Sequence, residues 1–227
     1  MAKIGAAKCA CEYSLLQLWR FFTAPTADIC LLCEKNVLLQ RYSTGKINTA
    51  MNALEIIDKY CTEERLRDIL LTHSRAVADK ALDIVRCHPE LEADAAFVEE
   101  AALLHDIGIV HVDAPAIACF GTEPYIKHGV LGAELLRNEG LERHALVCER
   151  HTGTGLTLQQ IMKQELPLPH RDMQPVSIEE QLICFADKFF SKTKLDREKT
   201  VEQARRSLEK FGEEGLVKFD AWCARFL

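Results

Sequence analysis

The chain has 227 residues, of which 48% are hydrophobic and 27% are charged, a composition typical of a globular domain rather than of a fibrous or disordered protein. Its formal net charge of −6 argues against a nucleic-acid polymer as the main partner, because that binding relies on clustered Lys and Arg. No apolar run reaches the roughly 18 to 20 residues that cross a bilayer, so we expect a cytoplasmic protein without a membrane partner, whose oligomeric state the sequence leaves open.

Residues 1–50 differ from the remainder of the chain. They carry six basic and three acidic side chains, a net charge of +3, which leaves −9 for residues 51–227. They also lack a sustained helical or alternating pattern. We expect an N-terminal extension that is disordered or lies upstream of a native start at Met51. The alternative is a zinc knuckle, because Zn²⁺ binds paired thiolates at the short spacing of Cys9, Cys11, Cys30 and Cys33.

From Met51 onward, apolar residues recur at helical spacing, which predicts an all-α domain over residues 51–227 with a core over 60–192. We expect a compact multi-helix bundle without strands. In chain order, the predicted helices cover 51–60, 63–87, a segment from an Asp94 N-cap to Gly108, 124–138, 141–151, a short 157–164, a helix opened by a Ser177 and Glu180 capping box, 197–211 and 213–225.

The ten cysteines are scattered along the chain. Four of them, Cys61, Cys87, Cys148 and Cys184, fall within predicted helices, where a thiol packs as a small buried hydrophobe. We therefore expect reduced thiols rather than a disulfide framework.

Six polar residues lie on or beside the apolar faces of the predicted helices. They are His73, His105, Asp106, His128, His151 and Asp187. Each histidine taken singly is also consistent with an ordinary core histidine that bonds a backbone carbonyl. The aspartates are harder to explain in that way, because a buried ionised carboxylate without a cation costs several kcal/mol.

A divalent metal would satisfy these groups together. His73, His105, Asp106 and Asp187 supply a four-ligand site of mixed nitrogen and oxygen, which leaves room for water and substrate. His128 and His151 are then candidates to hold a second ion, with Asp106 bridging the two.

The order of His73, the His105 and Asp106 pair, and Asp187 resembles the H…HD…D signature of the HD-domain metal-dependent phosphohydrolases, and residues 105–108 read HDIG, as in one subgroup. The resemblance covers roughly residues 60–192. Three further segments resemble a branch of small single-domain HDIG proteins. They read KHGVLGAELL around His128, ERHTGTGLT around His151, and LPLPHRDMQPVSIEEQLICFADKF, which contains Asp187.

The resemblance implies hydrolysis of a phosphomonoester or phosphodiester, nucleotides included, by metal-activated water. It implies one or two divalent ions per chain, drawn from Mn, Fe, Co, Ni, Mg or Zn, and a small phosphorylated substrate. The expected catalytic residues are Asp106, His128 and His151. Lys127, Arg171 and Lys188 are cations that could contact the phosphate, although each is also consistent with a solvated surface charge.

The chain departs from the family pattern in two ways that bear on which phosphate compounds it is expected to hydrolyse. Many HDIG proteins follow the glycine with a Lys or Arg that can touch phosphate, whereas Ile109 and Val110 follow Gly108 here. The chain also lacks the GYP sequence of the cyclic-dinucleotide phosphodiesterases, which makes that specific activity less expected.

Two other functions remain open at this point. HD-type helical sites that hold two irons can run dioxygen-dependent oxidations, and metal identity and dioxygen consumption distinguish them. A non-catalytic HD signalling or binding module usually lacks a ligand, whereas every ligand position is filled here. A serine hydrolase is disfavoured because no G-x-S-x-G sequence occurs.

The first prediction concerns residues 1–50, which contain none of the expected ligands. A chain that begins at Met51 should keep the melting temperature and turnover of the full chain, because a segment without a regular apolar face buries little area. Thermal unfolding and steady-state assays on both chains check this. A large loss of either quantity, or one zinc ion bound by the four N-terminal cysteines, would contradict it.

Overall fold

The computed structural model describes residues 52–227, which form one compact unit. The predictions for residues 1–50, namely the disordered extension and the alternative zinc knuckle, lie outside the described residues, as does the start at Met51. Among the described helices, none is both long and apolar enough to cross a membrane.

The described part of the chain is mostly helical, and the prediction of an all-α bundle is confirmed. Its α-helices are α1 (Ala53–Tyr60), α2 (Glu64–Cys87), α3 (Ala95–Leu104), α4 (His128–Asn138), α5 (Glu142–Arg150), α6 (Leu158–Lys163), α7 (Ile178–Asp187), α8 (Val201–Ser207) and α9 (Glu213–Phe226). Short 3₁₀ turns occupy Pro89–Leu91, Ile107–His111, Pro115–Ile117, Tyr125–Lys127 and Glu209–Phe211. The strands β1 (Asp113–Ala114) and β2 (Cys119–Phe120) pair antiparallel, and the sequence did not predict them.

Helix boundaries differ from the prediction in three places. Helix α4 begins at His128 rather than at residue 124, because Tyr125–Lys127 form a 3₁₀ turn. Helix α3 ends at Leu104 rather than at Gly108, because the chain tightens into the 3₁₀ turn Ile107–His111. The predicted helix 197–211 is shorter, since a capping box of Thr200 and Gln203 starts α8 at Val201.

The capping box predicted for α7 is only half formed. Ser177 accepts a hydrogen bond from the Glu180 backbone N–H, as expected. The Glu180 carboxylate instead accepts from the Val176 N–H and pairs with Arg150 of α5 at 2.9 Å. Glu180 therefore links two helices rather than closing its own cap.

The thiol prediction holds at three of its four positions. Cys61, Cys148 and Cys184 are buried and form no disulfide. Cys87 is exposed, because it is the last residue of α2 and lies beyond the helix's packed face.

Helices α2, α3 and α7 pack around small side chains. Ala78 and Ala81 of α2 lie in one buried cluster with Ala101 and Ala102 of α3 and with Ala186 of α7. Because alanine occupies little volume, the helices approach closely. The same helices carry, or lead directly into, the four residues predicted to bind one metal.

An aromatic cluster fixes the end of α7 against α9. The Phe185 ring lies 5.4 Å from the rings of Phe219 and Phe226 and 6.4 Å from the Trp222 ring, measured between centroids. Full burial of a large apolar side chain contributes roughly 1.5 to 3 kcal/mol. The cluster therefore holds Asp187, two residues beyond Phe185, in a fixed position.

Gly108 sets the distance between the turn after α3 and the first turn of α4. A Cβ atom at this position would lie 2.0 Å from the His128 carbonyl oxygen and 2.3 Å from the Gly132 nitrogen. Both contacts are with backbone, which cannot rotate away. Glycine is thus required for His128 to lie beside the His105 and Asp106 pair.

The second prediction tests this close approach. Gly108→Ala should lower the free energy of unfolding by about 2 to 4 kcal/mol, because α4 must shift to admit the methyl group. Gly140→Ala is the matched control, since Gly140 has a φ of +75° but open space around it, and its loss should be about 1 kcal/mol. Urea denaturation measures both variants, and equal losses would contradict the steric explanation.

Candidate metal centre

Three buried side chains and the partly exposed Asp187 converge where α2, α3 and α7 meet. His73 Nε2 lies 3.1 Å from both Asp106 Oδ2 and Asp187 Oδ1. His105 Nε2 lies 3.0 Å from Asp106 Oδ2 and 3.6 Å from Asp187 Oδ1. One ligand atom from each residue lies within 4.8 Å of the others. The four residues predicted from sequence to share one ion therefore surround one point.

A second group forms on the other oxygen of the same carboxylate. Asp106 Oδ1 lies 3.5 Å from His128 Nε2 and 3.4 Å from His151 Nε2. These three residues are buried and form a separate candidate set for an ion. Asp106 thus faces one group through Oδ2 and the other through Oδ1, so it lies between the two predicted ligand sets.

Backbone carbonyl groups orient three of the four histidine rings. Nδ1 of His105 lies 2.6 Å from the Ala102 oxygen, and the Nδ1 atoms of His128 and His151 lie 2.7 and 2.8 Å from the oxygens of Tyr125 and Cys148. A carbonyl accepts only, so Nδ1 carries the proton, and in a neutral ring Nε2 presents a lone pair.

With the rings in this orientation, a cation between His128 and His151 would be electrostatically favourable. Nε2 of His128 and Nε2 of His151 lie 3.0 Å apart. With both Nδ1 atoms protonated, two nitrogen lone pairs face each other when the rings are neutral, and a cation relieves their repulsion.

Positively charged groups around Asp106 and Asp187 keep both carboxylates ionised. Burial alone would raise the pKa of Asp106, but His105 and Lys192 outweigh it and hold that pKa well below the usual value. Burial likewise opposes ionisation of Asp187, and Lys188 and then His105 and His73 hold its pKa well below the usual value. Both aspartates are therefore anionic.

The histidines divide into two electrostatic types. Burial lowers the pKa of His105, but Asp106 and Asp187 outweigh it and raise the pKa to about 9 without a metal. Burial, followed by the neighbouring His151, lowers the pKa of His128 to about 3, and burial also lowers the pKa of His151. The His128 and His151 rings are therefore neutral near pH 7 and able to donate lone pairs.

The residues fit divalent ions. Both nitrogens of His73, Nε2 of His105 and both oxygens of Asp106 are buried without an aligned hydrogen bond to any described residue. Bonds of about 2.0 to 2.2 Å from an ion put neighbouring ligand atoms roughly 3 to 3.5 Å apart, close to the spacings measured here. Imidazole and carboxylate without thiolate suit Mn, Fe, Co, Ni or Zn.

Two lysines balance the aspartates. Lys188 Nζ lies 2.7 Å from Asp187 Oδ2 and donates to the His151 carbonyl oxygen at 3.0 Å, so Asp187 Oδ1 stays directed at the histidines. Lys192 Nζ lies 2.6 Å from Asp106 Oδ2, and its side chain is 12% exposed. Burial lowers the pKa of Lys192, but Asp106 outweighs it and raises the pKa above the usual value.

Lys192 was not predicted from the sequence. It follows the end of α7 by five residues, where a lysine is ordinarily a solvated surface charge. Its inward direction depends on the path of the chain after Asp187, which no local pattern specifies. Lys188, which was predicted near the site, is adjacent to Asp187 in sequence.

The two other predicted cations point elsewhere. Lys127 Nζ pairs with Glu123 at 2.6 Å, and Arg171 Nε pairs with Glu149 at 2.7 Å. Neither residue lines the cavity at the metal centre. Their proposed contact with phosphate stays a prediction, and the geometry favours Lys188 and Lys192.

A cavity of about 410 Å³ opens onto the candidate metal centre. Its wall includes His73, His128, His151 and Asp187, together with Lys188, Lys192, Lys199 and Lys210. Tyr125 also lines it and stacks on the His128 ring with centroids 4.8 Å apart. The volume lies in the range of small-molecule sites, and the cations around it suit an anionic ligand.

Comparison with known proteins gives one family and several relatives. The HD domain profile matches residues 70–191. An uncharacterized protein from Methanocaldococcus jannaschii is 34% identical over 145 residues, which covers 63% of this chain and 75% of the relative. No solved structure matches.

Two further relatives are longer than this chain. A protein named tRNA (cytidine(56)-2'-O)-methyltransferase from Thermoplasma volcanium is 32% identical over 179 residues, covering 72% of this chain and 47% of the relative. A protein of the same name from Picrophilus torridus is 31% identical over 165 residues, covering 67% of this chain and 43% of the relative. The chain therefore spans less than half of these two relatives.

The third prediction separates the two ion positions. Fully loaded protein should hold two ions per chain, because two ligand sets share Asp106. His73→Ala and His128→Ala should each retain about one ion, whereas Asp106→Ala should retain almost none, since it serves both sets. Elemental analysis measures the ions, and far-UV circular dichroism checks that the helices remain.

His88→Ala is the matched control for this experiment. His88 pairs with Glu90 away from the cavity, so this variant should keep both ions. One ion in the fully loaded wild type would contradict a second site at His128 and His151.

Proposed function

The chain belongs to the HD domain family, and on that premise we propose that it is a metal-dependent phosphohydrolase of a small phosphomonoester or phosphodiester. Members of this family are generally metal-dependent hydrolases, and the His and Asp cluster supplies a candidate metal site. The observation that carries the proposal is Asp106, whose two buried oxygens each lie 3.0 to 3.5 Å from two imidazole nitrogens.

We propose that His73, His105, Asp106 and Asp187 hold one ion and that His128 and His151 hold a second with Asp106 between them. A bound divalent ion supplies Lewis acidity, which promotes deprotonation of water and stabilises negative charge on a phosphoryl group.

Charge balance supports an anionic substrate. Asp106 and Asp187 carry two negative charges, and Lys188 and Lys192 already neutralise them through contacts of 2.7 and 2.6 Å. Divalent ions held by the same carboxylates therefore leave a positive centre inside the cavity. A phosphate group restores the balance, whereas a neutral substrate does not.

Lys192 is our proposed phosphate-binding lysine. It lies against the carboxylate oxygen that faces His73 and His105, and it lines the cavity. It offers a cation at the centre even though Ile109 and Val110 replace the basic residue common after the HDIG glycine. An ammonium group at this position can stabilise the charge that develops on phosphoryl oxygens.

The dioxygen-dependent alternative uses the same ligands and needs two irons. Four lysines around one cavity favour phosphate over a neutral organic substrate.

The methyl transfer in the names of two relatives is not part of the proposal, because this chain spans less than half of those proteins. We propose a small-molecule substrate and no nucleic-acid polymer, in line with the net charge of −6.

The test is a phosphatase and phosphodiesterase screen of purified protein with Mn²⁺, Fe²⁺, Co²⁺, Ni²⁺, Mg²⁺ and Zn²⁺ in parallel. Hydrolysis should appear with at least one ion, should disappear on chelation, and should be absent from Asp106→Ala. Dioxygen uptake with Fe²⁺ and no phosphate release with any ion would overturn the proposal in favour of an oxygenase.

The fourth prediction isolates Lys192 from the metal ligands. Lys192→Met should lower kcat/KM about 100-fold through lost stabilisation of phosphoryl charge, while metal content stays at the wild-type level. Lys163→Met is the matched control, because Lys163 is exposed on α6 and does not line the cavity. Equal kcat/KM in Lys192→Met and wild type would remove Lys192 from the proposed site.

A further inference from the structure

A second cavity adjoins the metal-site cavity along the segment between α7 and α8. Its volume is about 330 Å³. The two cavities share Ser191, Thr193 and Lys199 in their walls. The remaining wall residues of the second cavity are Lys194, Arg197 and Gln203. The two cavities are therefore neighbours that meet at these three residues.

Among residues 52–227, the wall of the second cavity contains three cationic side chains and no carboxylate. Lys194 and Arg197 form no ion pair with any residue in the range 52–227. Asp196 and Glu198 belong to the same segment but lie outside the wall, and Glu198 pairs with Lys80 at 2.7 Å. Two charged groups thus border this cavity without a counter-ion in the described part of a chain whose overall charge is negative.

Lys199 connects this cavity to the metal centre. Its Nζ donates to the carbonyl oxygens of Lys188 and Phe190 at 3.1 and 3.2 Å, which ties the segment back to the end of α7. Burial lowers the pKa of Lys199, Asp187 opposes this, and Lys188 and Lys192 lower the pKa further. An anion in the adjoining space would favour the charged form of Lys199.

Hydroxyl groups complete the wall. Ser191 Oγ and Thr193 Oγ1 lie 3.0 Å apart at the junction of the two cavities. Hydroxyl donors beside lysine and arginine are the usual partners of a phosphate group, because each offers an N–H or O–H to a phosphate oxygen.

We propose that the second cavity is an anion subsite for a phosphate group that is not cleaved, so that the preferred substrate carries two phosphate groups. This inference rests on the proposed phosphohydrolase function, since the other phosphate is the one at the metal centre. Lys194, Arg197 and Lys199 bind the distant phosphate and select bisphosphorylated over monophosphorylated compounds of the same skeleton.

The experiment compares matched substrates, such as adenosine 5′-monophosphate with adenosine 3′,5′-bisphosphate and ribose 5-phosphate with ribose 1,5-bisphosphate. In the metal-loaded wild type, kcat/KM should be about 100-fold higher for the bisphosphate of at least one pair. In Lys194→Ala/Arg197→Ala the ratio of the two kcat/KM values should fall at least about tenfold. Arg206→Ala, an exposed arginine of α8 outside both cavities, should keep the wild-type ratio.

A binding measurement separates this inference from the proposed function. Calorimetry with the same bisphosphates on chelator-treated protein should show tighter binding to wild type than to Lys194→Ala/Arg197→Ala, with equal melting temperatures as the folding check. Hydrolysis with equal kcat/KM for both members of every pair would overturn the subsite and leave the phosphohydrolase intact. Binding that depends on Lys194 and Arg197, without hydrolysis of any compound, would support the anion subsite and overturn the phosphohydrolase.

Discussion

A carboxylate removed from water needs positive charge or hydrogen-bond donors within a few ångströms, and Asp106 draws them from several helices at once. Its side chain is fully buried, with imidazole nitrogens on both oxygens and one ammonium group beside Oδ2. Lys192 and the protonated His105 are the charged partners, and removal of either leaves the negative charge of Asp106 less well balanced. The positions of α2, α4 and the end of α5 are therefore coupled to the turn after α3 through one side chain.

Close packing of the helices holds the residues around Asp106 in place. Small residues bring α2, α3 and α7 together, and Gly108 admits α4 at backbone contact. The His151 carbonyl oxygen accepts from both Lys188 and Cys184 of the α7 region, which joins the end of α5 to the same assembly. The site thus lies where packing constraints from several elements meet, and each ligand has little freedom to move.

Periodicity predicted most of the helices, because it reports which side chains face the core, and it put five of the six candidate ligands on apolar helix faces. His73 was recognisable from its place in the apolar stripe of α2, and Asp187 from the cost of burying its charge. Periodicity does not report where a chain goes after a helix ends. Lys192 lies in such a segment, and so do the strands β1 and β2, and all of these were missed.

The directions of long charged side chains could not be predicted from the sequence either. Lys127 and Lys188 are each adjacent in sequence to a predicted ligand, yet Lys188 reaches the centre and Lys127 pairs with Glu123. The sequence shows both lysines but does not show the direction of either flexible side chain. Arg171 was placed near the site by its position in a connection, and its guanidinium instead neutralises the buried Glu149.

The carbonyl groups behind His105, His128 and His151 have one further consequence. Each ring is hydrogen bonded to the carbonyl oxygen three residues earlier in its own segment, so its orientation is set locally and not by an ion. Loss of an ion therefore releases little ring motion, and rebinding costs little conformational entropy. If the centre binds a divalent ion, the protein would therefore need little rearrangement to exchange that ion for another of similar size.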